Sequence, residues 1–220
     1  MQDSSQSYHD SLLDKLFIRL FSRKMSKAVG QKTELNGYEG FVDLSTLIME
    51  GRSSREQQDL VSVVLNSLVP APVLWGIRTF FSPTKLVCEL NAWFATQLFE
   101  WLVGPCSVVE TEIELPSGEK TPQKSGVHIE KCRYLEHSGC VGMCINMCKL
   151  PTQQFFTQEF GIPVTMTPNF EDLSCEMVFG QIPPKLETEE AYQQPCLPDN
   201  CSMASPKSDR CPKTHRVESK

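Results

Sequence analysis

The stretch GCVGMCINMCKLP, residues 139–151, places Cys140, Cys144 and Cys148 four residues apart. Five further cysteines lie outside this stretch but near it or in the C-terminal tail: Cys132, Cys175, Cys196, Cys201 and Cys211. So many thiols in a short part of one chain indicate a disulfide framework, a metal site or the packing of small apolar side chains.

Helix geometry restricts what these neighbouring cysteines do. Residues four apart on a helix have Cβ atoms about 5–6 Å apart, beyond the roughly 3.5–4.5 Å of a disulfide. Cys140 and Cys148 would lie about 12 Å apart along a straight helix, so a single zinc ion reaches both only if Gly139 or Gly142 breaks the helix. An iron–sulfur cluster accepts thiolates from a wider spread. The spacing therefore favours a cluster over one ion, and simple packing of a helix face stays open.

Composition limits the class of protein. The chain has 220 residues, ten cysteines and a formal net charge of −6, which fits one domain with tails and argues against nucleic-acid binding. The first eleven residues are polar and include Asp3 and Asp10, so neither a secretory signal nor a transit peptide is evident. A reducing compartment then favours metal over disulfides.

Residues 8–105 are predicted to be helical. Over residues 8–29, apolar rows alternate with cations, which predicts either a helix docked on the core or a basic amphipathic helix in peripheral contact with a membrane. A turn-rich linker is expected at residues 30–40, and a second helix at residues 51–68. Residues 84–103 are apolar on nearly all sides, which predicts a buried helix.

Residues 106–182 switch to a period of two, which is typical of strands. The predicted strands cover residues 108–115, 127–135, 163–167 and 174–179. A short helix is predicted from Pro151 to Gly161. The pattern predicts an α+β fold, in which an N-terminal helical layer packs on a small antiparallel sheet and the Cys-rich metal-binding segment lies at their junction. One domain is predicted over residues 1–182, followed by a flexible Pro/Ser-rich, cysteine-containing tail over residues 183–220.

The two histidines of the sheet region are a second metal candidate. His128 and His137 with a nearby carboxylate match the composition of a two-histidine, one-carboxylate iron site. The candidate carboxylates are Glu130, Glu136, Glu171 and Asp172. Such a site requires convergence in space, and ordinary surface or core histidines are the favoured interpretation. Asn169, Glu171 and Asp172 are interpreted first as turn and cap residues.

Several motifs resemble one known family. They are KCRYLE at residues 131–136, SGCVGMC at 138–144, NMCK at 146–149, PNFED at 168–172 and SCEM at 174–177. These strings are similar to the plant β-carotene isomerase family of strigolactone biosynthesis, whose members are iron-containing plastid proteins. The resemblance extends over nearly the whole chain from about Tyr8.

The resemblance implies a reaction and a cofactor. The reaction is the reversible conversion of all-trans-β-carotene to 9-cis-β-carotene in plastids, with the product passed to carotenoid cleavage dioxygenases. A polyene offers no carbonyl that a base or nucleophile could attack. Rotation about one of its double bonds requires the order of that bond to fall, and an iron centre suits this task. A zinc-stabilised structural or interaction protein and a redox-sensing thiol protein remain the alternatives.

The resemblance also directs the choice of site residues. Cys140, Cys144, Cys148 and Cys175 are predicted to ligate iron, as a 4Fe–4S cluster or in another form, with Cys132, Cys196, Cys201 and Cys211 as a second tier. The residues predicted to form an apolar substrate pocket are Trp93, Phe94, Phe155 and Phe156.

Overall fold

The computed structural model describes residues 7–114, 120–185, 189–197 and 211. Helices form its N-terminal half, followed by a sheet and a further helical region. The N-terminal helices are α1 (Leu12–Val29), α2 (Gly37–Met49), α3 (Ser54–Asn66), α4 (Ala71–Phe80), α5 (Lys85–Leu98) and α6 (Glu100–Val103).

Local sequence signals explain where α1 and α3 begin. Ser11 and Asp14 form a capping box at the start of α1, and Ser53 with Glu56 forms another at the start of α3. Each box satisfies backbone N–H groups that have no partner within the helix. The predicted helices over residues 8–29 and 51–68 are thus present, with slightly later starts.

Two helices lie where the sequence predicted none. Helix α2 begins at Gly37, inside the linker expected at residues 30–40. Gly37 has φ 63°, so the chain turns sharply there and then enters a regular helix. Helix α4 begins immediately after Pro70, because proline, which ends α3, is also accepted in the first turn of the next helix.

The sheet has four antiparallel strands in the order β1-β2-β4-β3. They are β1 (Cys106–Glu114), β2 (Lys120–Ile129), β3 (Val164–Pro168) and β4 (Cys175–Phe179). The predicted α+β class with a small antiparallel sheet is confirmed. The strand predicted at residues 127–135 is wrong beyond Ile129, because the chain turns at Cys132 into the short helix α7 (Arg133–Ser138).

A helix over residues 141–160 carries the cysteine-rich segment, and we call it the cysteine helix. It consists of α8 (Val141–Met143), a π-helical segment (Cys144–Lys149), α9 (Leu150–Phe155) and a second π-helical segment (Phe156–Phe160). π-Helical turns are rare and are frequent at functional sites. Gly139, at φ 54°, ends α7, so Cys140 lies between two helices and not on one continuous helix with Cys148. The helix predicted to start at Pro151 is the second half of this longer element.

Helices α2 and α3 pack on the cysteine helix, α1 packs on α2 and α3, and α5 packs on the sheet, mostly against β2. The prediction that residues 84–103 form a wholly buried helix is wrong. Only one side of α5, with Cys88, Ala92 and Ala95, is buried, and Trp93 on another side is exposed. In the tail, the 3₁₀ helix Glu190–Gln193 lies against the cysteine helix through Ala191. The division at residue 183 stays a prediction.

Candidate metal centre and active site

Four thiols come together in the core, and we call them the core thiols: Cys132, Cys144, Cys148 and Cys175. All four are free thiols and are buried or half-buried. The first π-helical segment supplies Cys144 and Cys148. Cys132 precedes the first residue of α7, and Cys175 is the first residue of β4.

A turn between β3 and β4 places Cys132 beside Cys175. The Cys132 N–H donates to the Leu173 carbonyl at 2.7 Å. Leu173 has φ 65°, a left-handed conformation that costs energy for a residue with a Cβ and that recurs near functional sites. Asp172 accepts a hydrogen bond from the Ser174 N–H at 2.8 Å. The interpretation of residues 169–172 as turn and cap residues is therefore confirmed.

The core thiols interact electrostatically with one another. Burial raises the pKa of Cys148 to about 12, with a further contribution from charge on Cys132. Burial raises the pKa of Cys144 well above its usual value, and charge on Cys148, Cys132 and Cys175 raises it further. Lys149 acts in the opposite direction on the pKa of Cys144 and of Cys175. Several thiolates are stable here together only if a cation compensates their charge.

The donor set fits a thiolate-bound metal group better than a single ion. Four thiols without a carboxylate or imidazole are the soft donors that iron–sulfur clusters and zinc prefer. In the described part of the chain, no three His, Cys, Asp or Glu side chains are arranged to hold one metal ion. A cluster is a larger body than one ion and accepts sulfurs that lie further apart. The chemistry of these donors is compatible with a cluster, and iron ligation stays a prediction.

The remaining predicted ligands are Cys140 and the tail cysteines. Cys140 precedes the cysteine helix and is buried in the main core. Cys196 and Cys211 pack with Val141 and Ile145 on the other side of the cysteine helix. The backbone N–H of Cys211 donates to the Gln194 carbonyl at 2.9 Å. Cys201 lies outside the described residues. The structure thus places Cys144, Cys148 and Cys175 near Cys132, while Cys140, in the same core, acts with Cys144 and Cys148 on the pKa of Tyr134.

An apolar cavity of about 60 Å³ adjoins the core thiols at Cys148. It lies between α1, α2, α3 and the cysteine helix. The lining side chains are Phe21, Met25, Phe41, Ser45, Val61, Val64, Leu65, Leu102, Tyr134, Met147, Cys148 and Thr152. Burial raises the pKa of Tyr134, whose side chain hydrogen-bonds to Ser45. The cavity excludes charge and presents one thiol and a few hydroxyl groups.

The four predicted substrate residues do not line this cavity. Trp93 and Phe94 lie on the exposed surface of α5, with ring centroids 4.9 Å apart. Phe156 packs edge-on against Phe179 at 5.4 Å, and Phe155 packs on Phe156 at 6.2 Å. Their role in substrate binding stays a prediction. Sequence reasoning missed Phe41, Ser45 and Tyr134, although the helical spacing of Tyr38, Phe41 and Ser45 was a usable signal.

The structure separates the two histidines. His128, on β2, pairs with Glu176 of the neighbouring strand. The His137 Nδ1 lies 2.9 Å from the Arg133 carbonyl oxygen, and its ring meets the Tyr38 ring edge-on at 5.1 Å. The interpretation of both as ordinary structural histidines agrees with these contacts.

Fold and site together define an α+β protein with a buried thiol centre beside an apolar cavity. Residues 101–188 match the family model described as Beta-carotene isomerase D27-like, C-terminal. Over 189 residues the chain is 42% identical to Beta-carotene isomerase D27, chloroplastic, of Medicago truncatula, covering 86% of this chain and 73% of that protein. It is 40% identical over 193 residues to the Arabidopsis thaliana protein of the same name, covering 87% of this chain and 71% of that protein.

The chain belongs to the β-carotene isomerase D27 family. The family predicted from the sequence motifs is therefore confirmed, and the relatives are isomerases by name. The family-model match includes all four core thiols. No solved structure matches the chain.

Proposed function

We propose that this protein is a carotenoid cis/trans isomerase that converts all-trans-β-carotene reversibly to 9-cis-β-carotene. The observation that carries the proposal is the identity of 42% over most of the chain to a protein named as a chloroplastic β-carotene isomerase. The proposal includes residence in plastids, transfer of the product to carotenoid cleavage dioxygenases and a role in strigolactone biosynthesis.

The core thiols are the proposed iron ligands, holding iron as a cluster. Bound iron supplies electron-transfer or Lewis-acid chemistry that lowers the order of a conjugated double bond. To bind it, the thiols must lose their protons. Lys149 lowers the pKa of Cys144 and of Cys175, which favours the thiolate form. Cys140 and the tail cysteines remain second candidates for a ligand position.

The apolar cavity is the proposed place for the reacting part of the polyene. Its walls offer aromatic and aliphatic side chains, which exclude water from a hydrocarbon. Its volume is about 60 Å³, whereas sites for drug-sized ligands have roughly 300–1,000 Å³. A whole carotenoid therefore requires α1 to move away from α3, which would open the cavity at Phe21, Met25 and Leu65.

Helix α1 supports the proposed peripheral membrane contact through residues 8–29. Leu12, Leu16 and Leu20 are exposed on it. Exposed cations repeat every four residues beside them, at Lys15, Arg19, Arg23 and Lys27. Apolar and cationic side chains on one exposed helix match the chemistry of an anionic membrane surface. Such contact would bring a protein to a substrate that dissolves in lipid.

The test combines metal analysis with an assay. The protein is purified anaerobically, its iron content and visible absorption are measured, and it is incubated with all-trans-β-carotene before the isomers are separated. We expect a coloured iron protein that forms the 9-cis isomer. Cys144→Ser should lose most of the iron and the activity. Cys88→Ser, at a buried thiol outside the core thiols, is the matched control and should keep both.

Three results would contradict the proposal. A colourless zinc protein would favour a structural role for the thiols. Oxidant-dependent disulfides without iron would favour a redox sensor. Iron and isomerisation that survive in Cys144→Ser would remove the core thiols as ligands.

A further inference from the structure

Helix α5 presents apolar side chains on two opposite sides. One side packs on the sheet through Cys88, Ala92 and Ala95. The other side exposes Leu86, Leu90 and Trp93, which follow the i, i+4, i+7 spacing of one helix face. A helix that is apolar all round is normally covered on all sides. Here the second side has no cover within the part of the chain that the structure describes.

Helix α4 and the connection after it expose further apolar side chains. Phe80 is 74% exposed and Trp75 is 59% exposed, and their rings meet edge-on at 6.2 Å. Only residues 81–84 separate α4 from α5, so Phe81 lies within a few residues of Leu86. We call these side chains the aromatic surface: Trp75, Phe80, Phe81, Leu86, Leu90 and Trp93.

The segment that carries the aromatic surface has a small positive net charge. Among residues 71–98 only Arg78, Lys85 and Glu89 are charged. The Glu89 carboxylate accepts the Lys124 N–H at 3.0 Å and lies 3.9 Å from the Lys85 ammonium group. Arg78 and Lys85 are exposed. In an acidic chain, a surface with exposed aromatic rings and cations complements the anionic headgroups and acyl chains of a lipid bilayer.

The aromatic surface follows the cavity-lining helix α3 along the chain. Val64 and Leu65 of α3 line the cavity, and α4 begins at Ala71. The Lys24 ammonium group of α1 donates to the Ser67 carbonyl at 2.8 Å, so the cationic end of α1 adjoins the start of α4. In the described part of the chain, no single helix is long and apolar enough to cross a membrane, although α3 and α4, which meet at 89°, pass that test as a bent pair.

We propose that the aromatic surface docks onto a lipid bilayer that contains anionic lipid and inserts its rings at the level of the headgroups. It is a second contact, separate from residues 8–29. The inference rests on the proposed function in one respect: a carotene substrate dissolved in the membrane is the reason for the protein to meet a bilayer. Its test uses neither carotene nor iron, so the two proposals fail separately.

Tryptophan fluorescence tests the docking directly. The chain has three tryptophans: Trp75 and Trp93 lie in the aromatic surface, and Trp101 is only 2% exposed. Vesicles of phosphatidylcholine and phosphatidylglycerol with brominated chains should quench the fluorescence of the wild-type protein. The double variant Trp75→Phe/Trp93→Phe, which keeps only Trp101, should not be quenched. Unquenched Trp75 and Trp93 in protein that floats with the vesicles would overturn the proposal.

A matched pair of variants measures how much the surface contributes. Leu90→Glu places a carboxylate in the aromatic surface and should lower the vesicle-bound fraction in flotation at least about tenfold, because it replaces buried apolar contact with a charge. Leu35→Glu, the same change at a similarly exposed leucine in the α1–α2 connection, should float nearly as the wild type. Circular dichroism checks that both fold. Equal flotation of Leu90→Glu and wild type, or a dimer that shields the aromatic surface and ignores vesicles, would overturn the proposal.

Discussion

On one side of the cysteine helix, Cys144, Met147 and Cys148 contact the main core, and Met147 and Cys148 line the apolar cavity. On the other side, Val141, Ile145 and Leu150 pack against the C-terminal tail. The first side carries thiols that raise one another's pKa, and it borders the unfilled cavity. Both features lower the stability of the folded protein, and both suit a reactive site. The second side packs closely around aliphatic groups. One helix therefore separates a reactive side from a stabilising side, and the tail holds the helix in place from outside.

The largest effect is expected at the ion pair between the tail and the cysteine helix. The Lys149 ammonium group is buried, lies 3.0 Å from Glu189 and donates to the Met166 carbonyl. Lys149→Met leaves the buried Glu189 carboxylate without its cation, which typically costs about 3–5 kcal/mol. Urea unfolding in anaerobic, reducing buffer measures this loss of unfolding free energy.

The double variant Lys149→Met/Glu189→Leu is the control for that prediction. It removes both charges, so much of the lost stability should return. If the single and double variants unfold at the same midpoint, the ion pair does not hold the tail on the cysteine helix. The stability of that side would then come from its apolar contacts alone.

The next largest effect compares the two sides directly. Ile145 is 0% exposed and packs among aliphatic groups, so Ile145→Ala should cost about 2–5 kcal/mol through lost burial and a new cavity. Met147 already borders unfilled space. Met147→Ala should therefore cost less, because fewer contacts are lost. The two unfolding midpoints, measured under one condition, decide the comparison, and a larger loss for Met147→Ala would contradict it.

The sequence predicted the grouping of the thiols on the cysteine helix only in part. The four-residue spacing already placed Cys144 and Cys148 together, because helical residues that far apart share a face. Cys132 and Cys175 join them only through a hydrogen bond to Leu173 across the sheet end, a long-range contact that spacing does not encode. Cys140 was expected on the same helix, but the left-handed turn at Gly139 places it before the helix begins, in the same core.

The N-terminal helices were likewise predicted only where the sequence signals are local. Capping boxes and apolar rows predicted α1 and α3, since those signals are local. The glycines at positions 37 and 40 hid α2, which supplies Phe41 and Ser45 to the cavity. For α5 the apolar pattern was correct, but a sequence with apolar residues all round a helix does not show which side lacks a neighbour.

Cys88 offers a reference thiol that is protected by burial alone. Burial, followed by charge on Glu89, raises its pKa to about 11, so at pH 8 about one molecule in a thousand carries the reactive thiolate. Because Cys88 is only 1% exposed, iodoacetamide should label it far more slowly in the folded protein than in urea at the same pH. Mass spectrometry of the labelled peptide measures both rates, and equal rates would contradict protection by burial.

The same shift predicts how stability depends on pH. Because folding raises the pKa of Cys88 above the unfolded value of about 8.5, the folded state holds the proton more tightly. The contribution of this thiol to stability is complete below about pH 8.5 and is lost as the pH rises toward 11. The unfolding free energy of Cys88→Ala should therefore fall less steeply over this range than that of the wild type.

The smallest effect is expected from a hydroxyl on the reactive side. Ser45 hydrogen-bonds to Tyr134 beside the cavity and donates to the Phe41 carbonyl at 3.1 Å. Ser45→Ala leaves the Tyr134 hydroxyl without this partner in apolar surroundings, which typically costs about 1–3 kcal/mol. Ser62→Ala, where a hydroxyl donates to the Gln58 carbonyl at 2.9 Å within α3, is the control and should cost less. If both variants lose the same unfolding free energy, water reaches the Tyr134 hydroxyl and replaces the lost hydrogen bond. The cavity would then be hydrated despite its apolar lining.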